Sequence, residues 1–286
     1  MLLSSHRSGF GPGFTAVTTL DDESGIALGV LRLAAADAVY EETAAETAWL
    51  LLSGTLEVRV AKQATKLERR SLFDEGPSAL HVSAGTEVEL VPSEPCELLV
   101  CRARNAVAFA PKVYTSVKDE HRGQGKVQDA AYRLVRTVFD GASAPVEAQL
   151  VLGEVVNFPG RWSSYPPHHH PQPELYHYRF DKPAGYGHAE LGEQVFKVKA
   201  YDTLRIMNGL DHPHCAAPGY AMYYAWVIRH LPGARYDTPE FEPKHKWTME
   251  PGARAWSPAR PAPHEAVHPE QRGREADRAS SNGSGR

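Results

Sequence analysis

The sequence predicts an all-β protein made of two β-barrels. Short runs rich in aliphatic, β-branched and aromatic residues, each bounded by turn residues, follow one another from residue 25 to residue 107. Runs at such close spacing are typical of sandwiches and barrels. The same texture returns from residue 148 to residue 229. Because the two blocks are of comparable size, they indicate a duplicated barrel, although they share little residue identity.

The first block contains the runs IALGVLRL, AWLLLSGTLEVRV, ALHVSAGTEVELV and CELLVCRA. In the second of these runs, Ser53, Gly54 and Thr55 separate LLL from LEVRV, and this pattern predicts a hairpin with one buried and one solvated face. His81 stands alone in this region, with no second histidine at ligand spacing. We therefore expect residues 1–110 to form a barrel without metal ligands, which serves packing or dimerisation.

The rest of the chain divides into three parts by composition. Residues 111–147 are charged, punctuated by glycine and only partly helical in period, and we interpret them as a short helical connector. Residues 148–256 carry the second β block. Residues 257–286 are rich in Pro, Arg, Glu, Ser and Gly and predict a disordered tail. Two histidines of that tail, His264 and His268, have no core to fix them, so we do not expect them to bind metal.

Composition excludes several classes of protein. The formal net charge is -4 and there is no basic stripe, which argues against a nucleic-acid partner. No uninterrupted apolar stretch of about 18 residues occurs, and the N-terminal run is too short for a signal peptide, so we expect a cytoplasmic protein without membrane contact. The three cysteines, Cys96, Cys101 and Cys215, form no CxxC pair and are expected to be reduced and structural. A homo-oligomer is compatible with these properties.

The segment from residue 165 to 180, YPPHHHPQPELYHYRF, carries the strongest chemical signal. His168 and His170 are two residues apart after a pair of prolines, so on extended backbone they point to the same side and can share one ion. The turn Pro-Gln-Pro returns Glu174 toward them, and a later hairpin offers His212 or His214 as a fourth ligand. Three imidazoles and a carboxylate suit zinc, manganese, iron(II), cobalt or nickel, with a position left open for substrate.

Each of these residues also has a purely structural interpretation. A histidine-rich turn can be a solvated loop, and a lone His-x-His would favour that interpretation. The nearby glutamate and the downstream histidine favour the metal site instead. Aromatic residues alternate along two of the runs and belong either to the barrel wall or to a substrate platform; they are Tyr176, Tyr178, Tyr223, Tyr224 and Trp226. Arg179 and Arg205 are expected on strands, where one of them is a candidate to meet a substrate carboxylate.

GRWSSYPPHHHPQPELYHYRF, followed by DHPHCAAPGYAMYYAWV, resembles the 5-deoxy-glucuronate isomerase family of inositol catabolism. Weaker similarities, among them LLSGTLEV, RGQGKV, LVLGEVVNFPG and KWTMEPGARAW, extend the resemblance over residues 10 to 256. The resemblance implies a bicupin, that is, two cupin-type barrels of the double-stranded β-helix or jelly-roll kind, with the metal in the C-terminal barrel. Relatives of this family are uronate ketol-isomerases.

Matched position by position, the resemblance places the metal ligands at His168, His170, Glu174 and His212, because His212 has the expected His-Pro step. This sequence departs from the family in a shorter loop before Glu174 and in the lead MNGLDHPH before the last ligand. The implied cofactor is one divalent ion, with zinc as the first choice and manganese, iron, nickel or cobalt as alternatives. These departures leave the ligand set complete but bear on the identity of the substrate.

The implied reaction is a metal-dependent aldose–ketose isomerisation of a small sugar acid. In this hypothesis Glu174 is mainly a ligand, the base is Tyr176, Tyr223 or a metal-bound hydroxide, and Arg179 binds the carboxylate. Two alternatives stay open. The same ligands support a cupin dioxygenase or decarboxylase, and a degenerate site would leave a non-enzymatic sugar-binding protein.

Overall fold

Residues 1–115 and 117–258 are described by the computed structural model, and their regular structure is almost entirely β-strand. One compact unit spans Met1–Ala253. The strands of its N-terminal part are β1 (Leu2–Leu3), β2 (Gly13–Ala16), β3 (Ile26–Leu33), β4 (Val39–Glu42), β5 (Glu46–Val60), β6 (Gln63–Arg69), β7 (Ala79–Val82), β8 (Glu87–Pro92), β9 (Cys96–Ala103) and β10 (Lys112–Tyr114). Within the described residues, no helix has the length and apolar character needed to cross a membrane.

The long strand β5 organises the N-terminal half. Its first part pairs with β7 and β9, whereas its second part pairs with β6 and β8. The strand thus belongs to two sheet faces, and the side chains between these faces form a buried cluster that includes Trp49, Leu56 and Leu98. Such a strand, shared between two faces, is how a jelly roll closes around its core.

The predicted hairpin turn at residues 53–55 is wrong, because β5 continues through it. Gly54 sits at a bulge where the strand crosses from one face to the other, with φ of +96°. A Cβ at this position would lie 2.3 Å from the Pro95 carbonyl oxygen, so only glycine fits. The hairpin lies seven residues later instead, where Ala61 and Lys62 both have positive φ and connect β5 to β6.

The strands of the C-terminal half are β11 (Glu120–Arg122), β12 (Arg133–Phe139), β13 (Leu150–Asn157), β14 (Trp162–Ser163), β15 (His168–His169), β16 (Glu174–Phe180), β17 (Tyr186–Leu191), β18 (Gln194–Lys199), β19 (Thr203–Ile206), β20 (His214–Ala216), β21 (Met222–Arg229) and β22 (Glu240–Phe241), with 3-10 helices at Val127–Asp129 and Pro243–Met249. Together with β1, they form a seven-stranded sheet in the order β1-β19-β16-β21-β13-β12-β11 and a four-stranded sheet in the order β14-β20-β17-β18, and β15 pairs with β22. The all-β fold is confirmed.

Two cores result from strand alternation in this half. Tyr176, Tyr178 and Tyr224 point into the space between its two sheets. Their sequence neighbours Leu175 and Tyr223 point the other way and pack with Leu28 and Leu50 side chains of the N-terminal half. The seven-stranded sheet therefore packs on both sides, which is why its central strands β13, β16 and β21 are buried along almost all of their length.

The segment 111–147 is less helical than the sequence predicts. Within its described residues the helical part is the single turn Val127–Asp129, while β10 pairs with β7 and β12 pairs with β13. The valines and phenylalanine of RLVRTVF favour strand, and pairing with β13 gives them a buried face. The tail predicted to be disordered lies, from residue 259 onward, outside the described residues.

Candidate metal centre

The histidine-rich segment is held between two parts of the C-terminal half. Tyr165–Pro166 is a cis peptide, and the short strand β15 that follows pairs His168 with Phe241 of β22. Strand β16 begins at Glu174 and runs between β19 and β21 in the middle of the seven-stranded sheet. The sequence thus places the histidines on an extended edge segment and the glutamate on a rigid central strand.

His170, Glu174 and His212 come together in the buried interior, with one donor atom from each within 4.8 Å of the others. Glu174 Oε2 lies 3.2 Å from His170 Nε2 and 3.4 Å from His212 Nε2. Ligand atoms bound to one ion at about 2.0–2.2 Å stand roughly 3 to 3.5 Å apart. The spacing of these atoms is therefore compatible with a shared divalent metal ion.

A hydrogen bond on the far side of its ring orients His212. His212 Nδ1 lies 2.9 Å from the Leu210 carbonyl, which fixes Nδ1 as the protonated nitrogen and leaves a lone pair on Nε2. That Nε2 atom is buried and has no hydrogen-bond partner among the described residues. A buried nitrogen without a donor costs free energy unless something binds it. The residues present thus fit a metal ion.

His168 stands beside this cluster. Its ring centroid is 4.8 Å from that of His212, and its Nδ1 lies 3.2 Å from the Pro166 carbonyl, so its Nε2 is also free to bind. Burial is the main cause that lowers the pKa of His168 well below its ordinary value. Burial likewise lowers the pKa of His212, so both rings are held in the neutral form that binds metal.

A cavity of about 100 Å³ opens onto the cluster. His168, His170, Glu174 and Tyr176 line one part of it, while the rest is formed by Ser164 and by side chains from β11, β12, β13, β21 and the segment after β21. The Tyr176 hydroxyl lies 3.3 Å from Ser164 Oγ. Burial raises the pKa of Tyr176 well above its ordinary value, so this phenol holds its proton.

Residues 3–248 match the model of the KduI/IolB family. The chain belongs to this family. Among its relatives, the 5-deoxy-glucuronate isomerase of Geobacillus kaustophilus is 28% identical over 249 residues, 77% of this chain and 84% of that protein. The protein of the same name from Bacillus subtilis strain 168 is 24% identical, over 64% of this chain and 71% of its own length.

Solved structures give the same fold. An IolB-like protein from Salmonella typhimurium superposes with a TM-score of 0.75 at 22% identity, covering 84% of this chain and 97% of that one. A mutant of Bacillus subtilis oxalate decarboxylase superposes with a TM-score of 0.59 at 10% identity, over 85% of this chain and 78% of that chain. A cupin barrel protein from Leptotrichia buccalis reaches 0.50 at 12% identity, over 80% and 96%. This member of the KduI/IolB family therefore has the cupin fold.

Two side chains that the sequence offered for catalysis lie away from the cavity. Arg179 is five positions after Glu174 on β16, so it points to the opposite face, where it forms an ion pair with Glu97 at 2.7 Å. Tyr223 faces the same side and donates its hydroxyl hydrogen to Glu154 Oε2 at 2.8 Å. Neither side chain contacts the His170–Glu174–His212 cluster, so the geometry does not support a catalytic role for either.

Sequence reasoning missed Arg133. This side chain lines the cavity from the first residue of β12, in the segment interpreted as a connector. The available signal was the alternation in RLVRTVF, which on a strand puts Arg133 on the same face as Val135, a residue of the core between the two sheets. Reading the segment as helical hid that alternation.

Replacing Tyr223 with phenylalanine separates the two faces of the sheet experimentally. Because the hydroxyl donates to Glu154 and not into the cavity, Tyr223→Phe is expected to lower the free energy of unfolding by about 1–3 kcal/mol while kcat/KM changes less than about threefold. Chemical denaturation and steady-state kinetics measure the two quantities. The matched variant Tyr176→Phe, whose hydroxyl is at the cavity, should lower kcat/KM more. A large loss of activity in folded Tyr223→Phe would contradict this assignment.

Proposed function

We propose that this chain is a divalent-metal-dependent aldose–ketose isomerase whose substrate is 5-deoxy-glucuronate. The observation that carries the proposal is the buried His170–Glu174–His212 cluster beside a cavity, in a chain whose relatives bear that name. We further propose His168 as the fourth ligand and zinc as the resident ion, because three imidazoles and one carboxylate suit it. In this proposal residues 148–256 form the metal-binding barrel, and residues 1–110 support it.

An ion in this position would supply Lewis-acid chemistry, polarising the carbonyl and the neighbouring hydroxyl of the sugar. The side chains of the protein would position the sugar and keep water away from its reacting carbons. Glu174 and His212 are 2% and 1% exposed, so the reacting carbons would meet a site with little solvent. Tyr176 keeps its proton and can donate a hydrogen bond to a substrate oxygen on which negative charge develops.

The test is conversion of 5-deoxy-glucuronate followed by NMR. We expect the signals of the aldehyde and its hydrate to give way to those of the ketose, with no oxygen consumed. Chelator treatment should abolish the conversion, and adding back zinc or manganese should restore it. Oxygen uptake or release of carbon dioxide would instead support the alternative oxidative or decarboxylating cupin, and binding without turnover would overturn the proposed enzyme.

A further inference from the structure

Among the described residues, five arginines expose less than a tenth of their surface to solvent. Four of these arginines form an ion pair with a carboxylate. The four pairs are Arg69 with Glu154, Arg136 with Glu154 and Asp119, Arg179 with Glu97, and Arg205 with Asp22. The fifth is Arg133, which is 8% exposed. Within residues 1–115 and 117–258 no carboxylate forms an ion pair with it.

The Arg133 guanidinium is incompletely satisfied. It donates one hydrogen bond within the described part of the chain, from Nη1 to the Ala131 carbonyl at 2.8 Å, although a guanidinium carries five N–H donors. Burial is the main cause that lowers the pKa of Arg133, and the nearby Arg122 lowers it further. A largely buried charge without a counter-ion is costly, and an anionic ligand in the cavity would supply that counter-ion.

Arg133 also lies where it could contact a small molecule bound at the candidate metal centre. It lines the cavity that holds His168 and Tyr176, and its charge contributes to lowering the pKa of His168. On its other side it lines a neighbouring cavity of about 350 Å³, whose wall includes Arg122 and Lys126. The two cavities share Arg122, Arg133 and Phe241. Arg122 forms an ion pair with Glu120, so Arg133 and Lys126 are the cations of these walls that would attract an anionic ligand.

We propose that Arg133 binds the carboxylate of the sugar acid, so that the ligand extends from the His170–Glu174–His212 cluster to this guanidinium. The inference rests on the proposed function, because it assigns the far end of the same substrate. The planar guanidinium matches a carboxylate in a two-bond, charge-assisted pair, and because Arg133 is largely buried, little water competes with that pair. This role replaces the one that the sequence suggested for Arg179, which is already paired with Glu97.

The pairing makes Arg133 a residue that determines specificity. A neutral sugar would leave the buried guanidinium without a partner, and a site built around a charged hydrogen-bonding group rejects ligands that lack its counterpart. Glucuronate and glucose differ only at C6, which is a carboxylate in one and a hydroxymethyl group in the other. The difference between their affinities therefore reports on the Arg133 pair.

The experiment compares these two sugars by calorimetry in the purified wild type and in Arg133→Met and Arg133→Lys. We expect the wild type to prefer glucuronate about a hundredfold or more, Arg133→Met to lose that preference, and Arg133→Lys to keep part of it. Metal content and melting temperature of the variants should equal those of the wild type. With 5-deoxy-glucuronate, KM should rise more than kcat falls. Arg161→Met is the matched control, because Arg161 is absent from both cavity walls and bonds to the Gln128 carbonyl.

A folded Arg133→Met that still prefers glucuronate would overturn the inference, as would a wild type that binds both sugars equally. If Arg133→Met does not fold, Arg133→Lys decides: a preference reduced at least tenfold supports the inference, and an unchanged one overturns it. A different result would count against the proposed isomerase activity. In that case the wild type binds glucuronate through Arg133 but does not isomerise 5-deoxy-glucuronate.

Discussion

Replacing His212 with alanine is expected to lower kcat/KM for 5-deoxy-glucuronate by about a thousandfold or more while the fold is retained. The side chain brings a buried lone pair to within 3.4 Å of Glu174 Oε2, and no other described residue takes its place. Loss of one ligand from the cluster removes the ion, and the Lewis-acid contribution of an ion amounts to several kcal/mol of transition-state stabilisation. Steady-state kinetics and circular dichroism measure activity and fold.

His169→Ala is the matched control for this variant. His169 lies between two of the proposed ligands, but its Nδ1 faces Asp211 Oδ1 at 2.9 Å, and the ring is outside the His170–Glu174–His212 cluster. Its kcat/KM should stay within a few-fold of the wild-type value. The assignment of His212 would be refuted by a folded His212→Ala that keeps more than a tenth of wild-type kcat/KM.

Replacing Glu154 with glutamine is expected to lower the free energy of unfolding by about 3–5 kcal/mol, or roughly ten degrees in melting temperature. Glu154, on β13, accepts two hydrogen bonds from Arg69 of β6, at 2.6 and 2.9 Å, and a third from Arg136 at 3.0 Å. All three side chains are buried. The neutral amide would leave two buried guanidinium groups facing each other without the shared carboxylate. Thermal melts followed by circular dichroism measure the change.

An exposed ion pair provides the comparison. Glu57 and Arg59 are 2.6 Å apart on the surface of the N-terminal half, where solvent screens their attraction. Glu57→Gln should therefore melt at the wild-type temperature. Equal melting temperatures for Glu154→Gln and the wild type would show that the buried cluster does not hold the two halves of the chain together.

The sequence alone could predict features that depend on a few neighbouring residues, such as the spacing of candidate ligands and the alternation of side chains along a strand. Of the ligands predicted from this segment, the fold brings His170 and Glu174 into one cluster, because the turn between them is short, and places His168 beside it. Strand alternation in ELYHYRF was equally readable: taking Glu174 as a ligand already places Arg179 on the opposite face. Applying that rule at the sequence level would have excluded Arg179 without a structure.

Other features depend on contacts between distant parts of the chain. The face of Tyr223 is set by the register of β21 against β13 and β16, which the local pattern does not specify. Gly54 looked like a turn because its close approach to Pro95, forty-one residues later, is not visible locally. The strand pair of β1 with β19 joins Leu2 to Leu204, a separation that no local pattern can indicate. Arg133 was missed because residues 111–147 were interpreted as a helical connector, whereas pairing with β13 makes residues 133–139 a strand.

Metal analysis of the purified protein tests the central claim most directly. We expect elemental analysis to find about one equivalent of a divalent metal in the wild type and none in His168→Ala/His170→Ala, with both proteins folded by circular dichroism. Metal at the wild-type stoichiometry in the variant would contradict the assigned ligands, and metal-free wild type that isomerises 5-deoxy-glucuronate would contradict the account as a whole.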